Sequence, residues 1–215
     1  DKKAAIVLTF DDWSPGHSPI VLPELQSRGL NATFFVMNTT ASYSWSQIIT
    51  AAGNGNEIGN HTKTHPNNLT STTTALLIDE VDGMKTLIDQ NITNQKATSF
   101  AYPFGNSNAT VINQVRNSGH IGARGVNTGT YAYNFALTNN DYYNISTYAM
   151  DGTITTAAFN TQISNVIAGG GLLTYLYHSV DNATNTYGDN WYAQVKQTAL
   201  QAQLDALVAK KNTVW

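Results

Sequence analysis

Two spacings of apolar residues alternate along this chain. Short apolar runs bounded by turn residues predict buried strands at Ala4–Thr9 and Leu172–Tyr177. Strands are also read at Ala32–Met37, Glu57–Asn60, Thr98–Tyr102 and Ile145–Met150, with a weak one at Ile121–Arg124. Helical spacing fills the gaps. Ser18–Arg28 opens on Ser18 as cap, places Pro19 in its first turn and stops at Gly29. Ser44–Ala52 ends at Gly53. Ser71–Asp89 sets Leu76, Leu77, Val81, Met84 and Leu87–Ile88 on one face. Asn108–Asn117 is closed by Gly119, and Thr155–Ile167 by three glycines at 169–171. Asp189–Lys210 is the longest helix, and Thr213–Trp215 is read as a closing strand.

About seven strand–helix units imply parallel strands with right-handed crossovers. With so many units, closure into a (β/α) barrel is favoured over an open sheet. No linker or repeat divides the chain, so residues 1–215 read as a single domain. No Gly-X-Gly-X-X-Gly follows the first strand, and a dinucleotide site is unsupported.

Composition narrows the function classes. The chain has no cysteine, so any transition metal must be held by histidine and carboxylate. The net charge of −3 gives no basic face for nucleic acid. No apolar run is long enough for a membrane span. Charged residues are only 12%, and Asn, Thr and Ser take their place. Asn-X-Ser/Thr recurs at Asn31, Asn38, Asn60, Asn68, Asn91, Asn108, Asn144 and Asn182. This density predicts a secreted, glycosylated protein; Asn60, inside a histidine motif, is expected to stay bare. Asp1 leads almost directly into the first strand, as in a trimmed mature domain. A bland surface makes a monomer the default.

The chemistry gathers at one end of the predicted strands, where βα architectures build their sites. Asp11 and Asp12 follow the first strand, His61 and His65 the third, and Tyr102-Pro103-Phe104-Gly105 the fourth. Arg124 ends the fifth, Asp151 follows the sixth and His178 the seventh. Histidines four apart meet one metal if their segment forms a helical turn. Adjacent aspartates on an extended chain diverge, so one can ligate while its neighbour acts as base. Two histidines and a carboxylate leave a coordination position open, the pattern of a catalytic zinc site. Zinc lowers the pKa of water to about 7 and polarises a carbonyl. His178 is the candidate general acid. The turn at Pro103-Phe104-Gly105 is the candidate oxyanion site, with Gly105 allowing close approach. Loop aromatics suit stacking on sugars: Trp13, Tyr43, Trp45, Tyr102, Phe104, Tyr131, Tyr133, Tyr142, Tyr143, Tyr187, Trp191 and Tyr192. His17 and His120 read as structural or solvated.

Four segments carry a resemblance: Thr9-Phe10-Asp11-Asp12, His61-Thr62-Lys63-Thr64-His65-Pro66, Tyr102-Pro103-Phe104-Gly105 and Leu176-Tyr177-His178. In order and spacing the chain resembles the polysaccharide deacetylases of carbohydrate esterase family four. The resemblance implies a distorted (β/α) barrel with a divalent metal, zinc or another such as cobalt. It implies Asp11 as general base, Asp12, His61 and His65 as ligands, His178 as acid and the Phe104 N–H as oxyanion donor. Two departures stand out. Trp13-Ser14-Pro15 replaces the usual Gly-Pro after the aspartates. Ala101 stands where the family has the arginine that braces the catalytic aspartate. Arg124 is the candidate to restore that charge, and Asp151 the candidate to orient His178. The expected activity is N-deacetylation of N-acetylglucosamine polymers such as chitin. The rivals are O-deacetylation of acetylxylan and sugar binding without catalysis, the latter motivated by Ala101.

Overall fold

Seven parallel strands close on themselves. The computed structural model describes residues 4–38, 44–129, 141–182 and 194–214. Strands β1 (Ala4–Asp11), β2 (Thr33–Val36), β3 (Glu57–Asn60), β4 (Ser99–Ala101), β5 (Gly122–Thr128), β6 (Ile145–Ala149) and β7 (Gly171–Tyr177) pair in chain order, and β7 returns to β1. That seam is the longest pairing and runs from Ala4↔Gly171 to Phe10↔Tyr177. The expected barrel is therefore present. Thr213–Trp215 contributes a single parallel bridge, Val214 to Ala4, with Trp215 outside the described residues.

Side-chain alternation sorts each strand into two faces. Leu8, Phe10, Phe34, Val36, Ile58, Leu173, Tyr175 and Tyr177 point outward and form the core beneath the helices. Val7, Thr9, Thr33, Phe35, Glu57 and Ser99 are among those pointing inward, where they line a cavity of about 230 Å³ within the barrel. Gly59 also faces inward. A Cβ there would lie 2.6 Å from the Phe35 ring, so the glycine makes room for a phenylalanine inside the barrel.

The helices pack around the strands as α1 (Leu22–Ser27), α2 (Trp45–Gly53), α3 (Thr74–Ile78), α4 (Met84–Asn91), α5 (Ala109–Asn117), α6 (Thr156–Gly169) and α7 (Gln197–Val208). Four boundaries differ from the sequence expectation. The first helix opens on a π-helical turn, His17–Val21, with Gly16 rather than Ser18 at its start. A Cβ on Gly16 would meet the Val180 carbonyl at 2.1 Å, so tertiary contact dictates that start. The Ser71–Asp89 helix begins after Thr73, whose hydroxyl caps Leu76 N, and carries a π turn at Asp79–Gly83 between α3 and α4. The last helix begins at Gln197. Val195–Lys196 is instead a short strand, β9, paired with β8 (Val180–Asp181), while 189–193 lie outside the described residues. Strand β5 continues past Arg124 to Thr128, through a bulge against β6.

Two histidines are structural. His17 and His120 are 0% and 2% exposed. Asn60 Nδ2 donates to His120 Nε2 at 3.2 Å, so the ring carries its proton on Nδ1, facing the Val115 carbonyl at 3.2 Å. Burial, above all, lowers the His120 pKa from 6.5 to about 4. Below pH 6.5 the unfolded chain takes up a proton that the folded ring refuses until about pH 4. Stability is thus intact above 6.5 and falls with pH through that window. From pH 7 to pH 5 the wild type should lose ~2 kcal/mol more than His120→Gln in urea titrations. Equal losses would mean that His120 titrates normally in the fold.

Candidate active site

Asp11 is the last residue of β1 and continues its inward face. Asp12 turns sharply out of the strand with φ 68°, and its N–H still bonds the Phe35 carbonyl at 3.1 Å. The two carboxylates diverge for that reason. The histidines follow β3, but not as a helical turn. Thr62 and His65 both take left-handed backbone, φ 67° and 53°, and the loop doubles back to bring the rings together. Their centroids lie 4.8 Å apart. Every non-glycine residue of positive φ among those described belongs to this region: Asp12, Trp13, Thr62, His65 and Phe104. Such backbone costs on the order of 1–3 kcal/mol per residue and persists only where its surroundings enforce it.

Those surroundings are polar and buried. Asn60 Oδ1 accepts from Thr62 N at 2.9 Å, and Thr62 Oγ1 accepts from His65 N at 3.1 Å. The Glu80 carboxylate, fully buried in the π turn before α4, accepts from Thr64 N at 2.7 Å and from Thr64 Oγ1. Neither Asn60 nor Glu80 was singled out as a site residue from the sequence. Glu80 had a legible signal: it lies three after Leu77 and four before Met84, on the buried stripe of that helix.

The donor atoms fit a metal ion. Asp12 Oδ1 lies 3.4 Å from His61 Nε2 and 3.6 Å from His65 Nε2, and the three ligand atoms fall within 4.8 Å of one another. Ligands of a tetrahedral zinc stand ~3.3 Å apart. His61 Nδ1 donates to the Ala101 carbonyl at 2.8 Å, which turns the Nε2 lone pair toward Asp12. Burial holds the His61 pKa down at about 3 and also lowers that of His65, so both rings are neutral, as ligands must be.

Asp11 stands beside the same site, its Oδ2 3.6 Å from His61 Nε2, and its other oxygen is held from β5. Arg124 Nη2 donates to Asp11 Oδ1 in a buried ion pair. Burial alone would raise the Asp11 pKa. The Arg124 charge, then His61 and His178, and the hydrogen bond from Arg124 outweigh it and hold the carboxyl at about 2. Arg124 sits directly beside Ala101 in the β4–β5 register. The guanidinium thus enters from one strand over, at the level of the missing arginine. Its carbon lies 4.7 Å above the Phe35 ring that Gly59 admits. The bulge after Arg124 lets β5 run on, so this residue lies within the strand rather than at its end.

These side chains open onto a cavity of about 310 Å³ lined by Asp11, His61, His65, Tyr102, Phe104, Val126, Ala149, Leu176 and His178. His178 Nε2 is 3.9 Å from Asp12 Oδ2. The Phe104 ring packs edge-on against His65, centroids 4.9 Å apart. Asp151 is not brought to this site. Its Oδ1 accepts from Thr153 N at 2.8 Å and Thr153 Oγ1 at 2.5 Å, closing its own turn rather than orienting His178. Trp13 is no sugar platform either, being 1% exposed and packed on Phe34. Tyr102 and Tyr143 are buried. Tyr43, Tyr131, Tyr133, Tyr187, Trp191 and Tyr192 lie outside the described residues.

A closed parallel barrel with two histidines and a carboxylate gathered at its strand ends defines the class. The chain belongs to the polysaccharide deacetylase family, whose model matches residues 1–122. It is 30% identical over 112 residues to the peptidoglycan-N-acetylmuramic acid deacetylase PdaC of Bacillus subtilis, covering 52% of this chain and 24% of that protein. It is 38% identical over 66 residues to the peptidoglycan-N-acetylglucosamine deacetylase of Bacillus cereus, covering 30% and 24%. The chain thus spans about a quarter of the length of these curated relatives. Its fold is that of a family 4 carbohydrate esterase from Streptomyces lividans solved with acetate, at TM-score 0.65, 20% identity and coverage of 100% of this chain and 92% of that one. The matched segment holds both aspartates, both histidines and Phe104. It ends before Arg124 and His178, which reach the site through closure of the barrel.

Glu80 should control metal affinity without touching the ion. Glu80→Ala is expected to weaken zinc binding roughly 10-fold or more in chelator competition, with the circular dichroism spectrum retained. Unchanged affinity would show that the loop holds its shape without Glu80.

Proposed function

We propose that this domain is a metal-dependent deacetylase that removes N-acetyl groups from N-acetylglucosamine polymers, chitin or its oligomers, and releases acetate. The observation that carries the reading is the convergence of Asp12, His61 and His65, with Asp11 alongside and reserved by Arg124. The family and the amino-sugar substrates named for the two Bacillus relatives support the N-acetyl linkage as target. Exposed sequon asparagines at 31, 38, 68, 108 and 144, with Asn60 buried, fit an extracellular protein.

Asp12, His61 and His65 would hold the divalent ion, zinc by their donor chemistry. When bound, such an ion polarises the scissile carbonyl and acidifies water. Asp11, ionised throughout the physiological range, accepts the proton of the attacking water. The water oxygen bonds to the acetyl carbon while the Phe104 N–H donates to the carbonyl oxygen as it gains charge. His178 delivers a proton to the departing nitrogen, the C–N bond breaks, and acetate and a free amine result. Arg124 keeps Asp11 charged and aimed, which supports catalysis over sugar binding alone.

Acetate release from chitin oligomers, peptidoglycan fragments and acetylxylan, with and without chelator, tests the activity and its substrate. Chelator-sensitive release from the chitin oligomers is expected, and preference for acetylxylan would make the domain an esterase. Asp11→Asn should abolish turnover while zinc stays bound; near-normal rates would remove Asp11 as base.

The transposed arginine makes a sharper prediction. Arg124→Ala should cut kcat on the order of 10²-fold with metal content unchanged, and Ala101→Arg added to it should recover a substantial part. An unaffected rate in Arg124→Ala would leave that residue a purely structural role.

A further inference from the structure

His17 has an unusual setting for so polar a ring. It is fully buried among Phe10, Trp13 and Phe34, with ring centroids 5.4, 6.1 and 5.5 Å away. Its Nδ1 has no hydrogen-bond partner. Its Nε2 lies 2.7 Å from the His178 carbonyl. A carbonyl only accepts, so the ring is the neutral tautomer with its proton on Nε2. An apolar side chain would fill this aromatic box without stranding a nitrogen. What the imidazole adds is the one bond to residue 178.

That bond falls where regular pairing stops. The β1–β7 ladder ends at Phe10↔Tyr177, so the His178 carbonyl lies just past its last pair. Beyond it, the Ser179 carbonyl accepts from Val195 N at 3.2 Å, and Gly16 presses against Val180. Gly16 and His17 thus clasp the exit of β7, at the residue whose imidazole stands 3.9 Å from Asp12.

We propose that His17 is a positioning residue: its Nε2–H pins the His178 backbone and thereby fixes the His178 ring in the catalytic cavity. This rests on the reading of His178 as the acid that protonates the leaving nitrogen. The grip is a single directional bond from a ring that the aromatic box cannot let rotate, so it sets the height of residue 178 above the barrel rim. His17 is not among the residues that line the catalytic cavity.

The test combines kinetics with histidine NMR on the zinc-loaded protein. His17→Phe keeps the aromatic packing and removes the donor. It should lower kcat on the order of 10-fold with KM and zinc content unchanged, and shift the limb of the kcat–pH profile set by the acid. His17→Gln carries an amide N–H to about the same place and should restore most of the rate and the wild-type profile. In ¹⁵N-histidine-labelled wild type, His17 should show a neutral ring protonated on Nε2, and His17→Phe should move the His178 ring resonances. A folded His17→Phe with wild-type kcat and profile would overturn the proposal, as would a His17 ring carrying its proton on Nδ1. Should His17→Phe not fold, the wild-type tautomer and the His17→Gln profile decide. Acetate release by the wild type and its loss in His178→Ala test the acid reading separately; failure there removes that reading, while the NMR measurements still decide the placement.

Discussion

Burying the Asp11 carboxylate at the end of a barrel strand, with Asp12 half-buried next to it, costs solvation free energy that nearby positive charge offsets. Arg124 supplies that charge. Its guanidinium pairs with one oxygen of Asp11 inside the barrel, while Asp12 faces both histidines and Asp11 only His61, so the two carboxylates have different surroundings. The guanidinium in turn needs a floor. Phe35 provides it, and Gly59 leaves room for Phe35. The division of labour at the site thus depends on an alternation of inward side chains across β1, β2, β3 and β5.

Strain is the second constraint. The site concentrates left-handed backbone in residues that disfavour it, and the fold surrounds that backbone with buried hydrogen bonds. Glu80 and Asn60 hold the histidine loop, and His120 backs Asn60 from the opposite side. Each of these polar groups would be costly to bury alone. Together they satisfy one another and leave the ligand atoms of His61 and His65 pointing one way.

Much of this was legible along the chain. Strand–helix alternation and the apolar runs marked all seven strands, and the clustering of polar residues after those strands marked the site. Asp11, Asp12, His61, His65, Phe104 and His178 could be named because the site lies at strand ends, a position that local sequence reveals. Arg124 was legible only as a charge near a strand end; that it stands beside Ala101 is a matter of register. Asp151 misled because it too follows a strand, yet its carboxylate finds Thr153 two residues away before it can reach His178. A nearby hydroxyl and N–H close such a turn at little entropic cost.

Apolar periodicity and turn residues are local properties, and they sufficed to mark strands, helices and an alternation that implies parallel strands and favours closure, while the closure itself is tertiary. They also placed the aspartates and histidines on the same rim. The path of the loop between His61 and His65, the partner of each carboxylate, and the burial of Trp13, His17 and Glu80 are not local. They follow from which side chains face inward at matching levels on strands far apart in sequence, and that is known only once the barrel has closed and its register is set.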